Sequence, residues 1–253
     1  GAGTANTEFE VLTGMNLDYF GPGEYPYQTV LQQKACESIA YNLKELGFGA
    51  HVIHNNTGTF YDRHLVFPHL GFDTFTSVEY MNHVDKNPLG WSKDTILTTE
   101  ILKSLLSTKQ RDFVYAISVQ PHGKYPSVPL GENQPVAVSS DTLSEEELTP
   151  FAYYINQLYE VDAFLQSLIE ALESLGEPTV LVLYGDHLPA ISVAQEQMTQ
   201  GDLLQTEYVI WDNLGLTQKD QDLEAYQLSS AILETLGVSN GLINSFHQNF
   251  KDN

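Results

Sequence analysis

The chain has 253 residues, 42% of them hydrophobic and 11% aromatic, which is enough apolar side chain for a packed core and excludes a disordered or fibrous protein. Eleven Lys and Arg against 33 Asp and Glu give a formal charge of −22, which excludes a sequence-independent grip on nucleic-acid phosphates and an electrostatic attraction to anionic lipid. An anionic substrate would therefore need local compensation from a cation, a metal ion or backbone N–H groups. The single cysteine, Cys36, excludes an internal disulfide and a cysteine-based zinc site. No apolar run reaches the ~20 residues that span a bilayer.

The elements alternate along the chain. Phe9, Val11 and Leu12 suggest a helix near the amino end, and Leu31, Ala35, Ile39, Leu43 and Leu46 predict an amphipathic helix over 29–46, with Cys36 at a buried position, stopped by Gly47 and Gly49. A short strand follows over 50–54, then a helix over 95–106 and a continuous apolar strand over 113–119. Ser144 with Glu145, Glu146 and Glu147 reads as a helix start, because a serine cap and first-turn carboxylates suit the helix dipole. A long amphipathic helix over 151–175 ends at Gly176, a third buried strand covers 179–184, and a last strand over 208–211 is followed by a helix over 225–236. This order predicts a single three-layer α/β/α sandwich over residues 1–253, with a mostly parallel central sheet and a small carboxyl-terminal strand–helix portion from about 206.

In open α/β sheets ligands sit beyond the carboxyl ends of the strands, and three predicted strand ends here carry His54, His122 and the pair Asp186-His187. A carboxylate and an imidazole side by side offer a divalent cation mixed O and N donors; a strand-end turn capped by the aspartate is the alternative. His54 and His122 could equally be histidines satisfied by neighbouring carbonyls, and His51, His64, His69, His83 and His247 read as structural or surface residues. Thr4 follows a small-residue turn at a helix start, where a hydroxyl beside a metal can act as a nucleophile and where an ordinary helix cap is the plainer reading. Arg63 is one of few cations and could clamp an anion or form an ion pair.

Four motifs in order carry a resemblance: Gly-Ala-Gly-Thr-Ala-Asn-Thr-Glu-Phe-Glu from Gly1, His54-Asn55-Asn56 with Phe60-Tyr61-Asp62-Arg63, Pro121-His122-Gly123, and Tyr184-Gly185-Asp186-His187-Leu188-Pro189. Together they resemble the extracellular catalytic domain of the lipoteichoic acid synthase family, phosphoglycerol transferases of the alkaline phosphatase and sulfatase superfamily. The resemblance implies an alkaline phosphatase-like fold, Thr4 as nucleophile and metal ligand, and Asp186 and His187 as metal ligands. It implies His122 near the leaving or attacking oxygen, His54 lining the substrate pocket and Arg63 holding the phosphate. Asn56 and Tyr61 stand where some relatives have an aspartate and a tryptophan that contact glycerol phosphate, so the acceptor preference can differ. One divalent ion is implied, Mn²⁺ first and Mg²⁺ or Zn²⁺ otherwise. The implied partners are an anionic phospholipid head group and a hydroxyl acceptor; the implied address is the outer face of a bacterial membrane, reached through a spanning region upstream.

The family also places a metal-ligating glutamate on a strand before the threonine motif, whereas this chain begins three residues before Thr4. Glu8 and Glu10 are poor stand-ins because the helix carries them away, so these 253 residues alone are expected to bind metal weakly and to show little activity. A sulfatase is disfavoured because Cys36-Glu37-Ser38-Ile39-Ala40 lacks the Cys/Ser-x-Pro-x-Arg setting. A phosphoethanolamine transferase, a phosphodiesterase and a non-catalytic envelope-binding domain are the remaining alternatives.

Overall fold

The computed structural model describes residues 3–131, 134–192, 197–198, 201, 203–217 and 219–250. Helix α1 (Thr4–Thr13) starts after Gly3 and ends at Gly14, whose φ of 72° makes the left-handed turn a side chain would resist. Helix α2 (Ile39–Lys44) is much shorter than the helix expected over 29–46. Extended Ser38 starts it by accepting hydrogen bonds from Ala40 N and Tyr41 N, and this local competition for the backbone outweighs the apolar periodicity upstream. Leu31 therefore sits in a separate 3₁₀ turn, and Cys36 lies half-buried in the connection, outside any helix.

Strand β1 (Gly49–His54) is buried at every position. Helix α3 (Arg63–His69) and strand β2 (Thr74–Ser77) follow, both without a clear periodic signature in so few residues. Helix α4 (Thr95–Ser107), strand β3 (Asp112–Ile117) and helix α5 (Glu145–Leu175) come next. The acidic segment and the long amphipathic run are one continuous α5, opened by a reciprocal capping box between Ser144 and Glu147. The chain continues through β4 (Val180–Tyr184), β5 (Tyr208–Asp212), α6 (Ala225–Thr235) and α7 (Leu242–Asn249).

The central parallel sheet has the order β2-β1-β3, with His54 opposite Ser77 on one side and Ile117 on the other. The third predicted strand does not extend this ladder: β4 pairs antiparallel with β5, from Val180 opposite Asp212 to Tyr184 opposite Tyr208. A bond between the hydroxyls of Tyr115 on β3 and Tyr184 on β4 connects the two sheets. Layering follows the alternation along β1. Ala50 and Val52 join Phe9, Leu12, Leu43, Phe67 and Leu233 from α1, α2, α3 and α6 in one core, while Ile53 joins Leu97, Ile101, Phe164 and Leu168 from α4 and α5 in the other. Each fully buried Leu or Phe contributes about 2 kcal/mol of apolar burial, so both faces of β1 hold the site's floor rigidly.

The predicted carboxyl-terminal portion packs into this body: Ser229 Oγ on α6 donates to Val11 O on α1 at 2.6 Å. His51 bridges β1 to Thr74 and Asp112 at 2.8 and 3.1 Å, His69 bonds Leu31 O and His247 bonds Gly14 O, whereas His64 and His83 are exposed.

Candidate active site

Parallel pairing of β1 with β3 brings their carboxyl ends level, so the loops carrying His54 and His122 emerge at one edge of the sheet. Asp94 ties those loops together. Its Oδ1 accepts from Asn55 Nδ2 at 2.7 Å, beside His54, and from Val119 N and Gln120 N at 3.2 and 3.3 Å, just before His122. Gln120 Oε1 in turn accepts from Asp94 N at 2.8 Å. Burial raises the Asp94 carboxyl, and these donors oppose the shift.

Helix α1 brings the amino-terminal threonine to the same edge. Gly3, with φ of 112°, occupies the cap position, so Thr4 is the first helical residue and the helix-cap reading of its hydroxyl does not hold. One turn on, Thr7 Oγ1 donates to Asp186 O at 2.8 Å, docking the first turn of α1 against the segment that follows β4. The two ends of the motif set, 179 positions apart, are joined there.

At that junction Asp186 Oδ1 accepts from His187 N at 2.9 Å, and His187 Nδ1 pairs with Leu188 O at 2.7 Å. Because a carbonyl only accepts, His187 Nδ1 carries the proton of that bond, and Nε2 is the ring nitrogen left to face an ion. That Nε2 lies 3.6 Å from Asp186 Oδ2, and both side chains are about a third exposed, at 32% and 37%. Two O and N donors at this separation can share one ion with bonds of about 2.0–2.1 Å, and the carbonyl behind His187 is the kind of support that fixes a metal-ligating imidazole. The residues present thus fit a divalent ion, although no cluster of three His, Cys, Asp or Glu suited to a metal occurs among the described residues. Glu8 and Glu10 do not add a third donor to the pair: Glu8 is bonded to Arg63, and Glu10 Oε1 accepts from Leu17 N at 3.0 Å.

Arg63 is 1% exposed at the start of α3. Its Nη2 and Nε donate to Glu8 Oε1 and Oε2 at 2.6 and 3.3 Å, and its Nη1 faces His54 Nε2 at 3.3 Å. Since arginine only donates, His54 Nε2 must accept, and His54 Nδ1–H donates to Ile117 O at 3.0 Å. Burial, with the Arg63 charge, pushes the His54 pKa down to about 3, so the ring is neutral at working pH. The preceding Tyr61 and Asp62 both take left-handed backbone, φ 57° and 54°, and this turn sets the Tyr61 ring 5.1 Å from the guanidinium carbon. Tyr61 is thus an exposed aromatic cover over Arg63. Asn56 is half-buried on the same loop, its carbonyl accepting from Val78 N.

His122 is exposed and packs edge-on against Trp91, ring centroids 4.7 Å apart. Tyr125 Oη donates to Pro121 O at 2.9 Å, and the Tyr125 ring packs on Tyr154 of α5. Burial, with neighbouring charge after it, raises both tyrosines. Sequence reasoning did not single out Thr7, Trp91 or Tyr125. Only Thr7 had a usable signal, its i+3 spacing from Thr4 on a helix face.

The sulfatase family pattern matches residues 1–238. The capsular polysaccharide biosynthesis protein RkpI of Rhizobium meliloti (strain 1021) is 30% identical over 196 residues, 76% of this chain and 33% of that protein. Among solved structures, the Streptococcus pyogenes phosphoglycerol transferase GacH, in complex with sn-glycerol-1-phosphate, superposes with a TM-score of 0.78 at 23% identity, covering 92% of this chain and 62% of that one. The lipoteichoic acid synthase LtaP of Listeria monocytogenes gives 0.73 at 20% identity, covering 95% and 61%. The chain therefore spans about a third of the curated relative's length and under two thirds of these structures. With its family pattern covering almost every residue and its fold shared with alkaline phosphatase-superfamily proteins, the chain belongs to the sulfatase family.

Proposed function

We propose that this chain is the catalytic part of a phosphoglycerol transferase that moves glycerophosphate from a phosphatidylglycerol-like lipid to a hydroxyl acceptor in the bacterial cell envelope. The observation that carries the reading is the 2.8 Å bond from Thr7 to Asp186 O, which sets the turn bearing Thr4 against the Asp186-His187 pair beyond β4. Asp186, His187 and the Thr4 hydroxyl would hold one divalent ion, Mn²⁺ first and Mg²⁺ or Zn²⁺ otherwise. Bound there, the ion would lower the hydroxyl pKa and neutralise a phosphate oxygen.

Thr4 Oγ attacks phosphorus, a P–Oγ bond forms, and the bond to the diacylglycerol oxygen breaks. His122, exposed on its loop, would give that oxygen its proton and then take the acceptor's proton as the acceptor hydroxyl displaces Thr4. His54 does not serve as base, since its Nε2 lone pair already accepts from Arg63. Among the described residues Arg63 has one Nη2 N–H beyond its bonds to Glu8, His54 and Phe60 O, and this N–H with the Tyr61 cover and Asn56 would meet the glycerophosphate. Because Glu8 cancels the Arg63 charge, the attraction for an anion comes chiefly from the ion and the open N–H groups of the first turn of α1.

No described helix is long and apolar enough to cross a membrane. The test is to incubate the full-length protein with phosphatidylglycerol and Mn²⁺. Diacylglycerol release with glycerophosphate transfer supports the proposal; release of ethanolamine phosphate from phosphatidylethanolamine alone replaces it with the phosphoethanolamine alternative.

A further inference from the structure

We infer that Glu8 is the positioning residue of the site, its carboxylate setting the Arg63 fork at a fixed place relative to the Thr4 hydroxyl and, through Arg63, the orientation of His54. The inference rests on the reading of Thr4 and Arg63 given above. Thr4 and Glu8 lie four residues apart on α1, hence on the same helix face about one turn apart. The carboxylate, 1% exposed, grips Nη2 and Nε of Arg63 at 2.6 and 3.3 Å, a two-point contact that fixes the plane of the guanidinium as well as its position. The remaining edge of that plane meets His54 Nε2 at 3.3 Å, and His54 is anchored behind by Ile117 O at the end of β3.

One rigid chain of bonds therefore runs from the helix that carries Thr4, through Glu8, Arg63 and His54, to the central sheet. Charge compensation alone would not need this arrangement, because any nearby carboxylate could neutralise a buried arginine; two-point contact one turn from Thr4 adds distance and angle. A displacement of about 1 Å between nucleophile and phosphate clamp can cost 10²-fold in rate.

Two variants of the full-length, Mn²⁺-loaded protein separate positioning from compensation. Glu8→Asp keeps the charge and draws the carboxylate back by about 1.5 Å, one carbon–carbon bond. Glu8→Gln keeps the reach and loses the charge. Positioning predicts that Glu8→Asp lowers kcat by about 10²-fold while the donor KM stays within about threefold. It also predicts that the His54 Nε2 resonance, followed by ¹⁵N NMR, moves in Glu8→Asp because Arg63 no longer reaches it squarely. Wild-type kcat and an unmoved His54 resonance in Glu8→Asp, with Glu8→Gln affecting only thermal stability, overturn the inference. If the wild-type protein transfers no glycerophosphate, the functional reading fails, and the NMR comparison still decides whether Glu8 orients Arg63 and His54.

Discussion

Thr7 on the first helix donates its hydroxyl to the backbone carbonyl of Asp186 at 2.8 Å, so the amino-terminal turn and the Asp-His segment are one structural unit although 179 positions separate them. Removing that hydroxyl in Thr7→Val leaves a half-buried carbonyl without its donor. We expect a loss of about 1–2 kcal/mol in stability, read by urea unfolding, and a weaker metal response, because Asp186 is no longer held against α1.

Asp94 has a comparable place between the other two loops. Its buried carboxylate accepts from Asn55, Val119 and Gln120, so Asp94→Ala strands three donors. The expected cost is about 3 kcal/mol in urea unfolding, and the His122 loop should become more open to hydrogen exchange. A loss under about 0.5 kcal/mol would show that the loops hold their places without Asp94.

Acid sensitivity follows from His54. Its folded pKa of about 3 lies far below the ~6.5 of an unfolded chain, so between pH 6.5 and 3 the unfolded state takes up a proton that the folded state refuses. The stability is fully present above pH ~6.5 and is lost as pH falls, by up to about 1.4 kcal/mol per pH unit. In His54→Gln this portion of the slope should vanish from unfolding curves measured across that range; an unchanged slope would show that His54 is not held neutral.

Metal binding by the 253 residues alone should be weak, since Asp186 and His187 gather no third His, Cys, Asp or Glu among the described residues. Titration calorimetry with Mn²⁺ should show no nanomolar site in this chain, whereas Asp186→Asn in the full-length protein should abolish the Mn²⁺-dependent rise in melting temperature. Nanomolar binding by these residues alone would mean that the donor set is already complete.

Much of this arrangement was readable from the sequence because it rests on apolar strand runs that stop at polar turns and on one long amphipathic helix. The runs ending at His54 and Tyr184 and the long α5 repeat their patterns over enough residues to be distinctive. The helix expected through Cys36 was not realised, because Ser38 captured two backbone N–H groups and restarted the chain. β2 and α7 are too short, four and eight residues, to carry a decisive period. In the site, positions at strand ends were visible, whereas pairings were not. Nothing in the spacing of Glu8 and Arg63, 55 positions apart, or of Trp91 and His122 announces that they touch. Arg63 illustrates the difference: its residue type left open an anion clamp or a surface ion pair, and the structure shows an ion pair with Glu8 that is buried instead of at the surface.

The most direct measurement is mass spectrometry of the full-length protein quenched during turnover with phosphatidylglycerol and Mn²⁺. One glycerophosphoryl group on Thr4, absent in Thr4→Ala together with all transfer while the variant melts as the wild type does, is the expected result. Transfer that persists in Thr4→Ala, or a covalent group on any other residue, would contradict the assignment of the nucleophile.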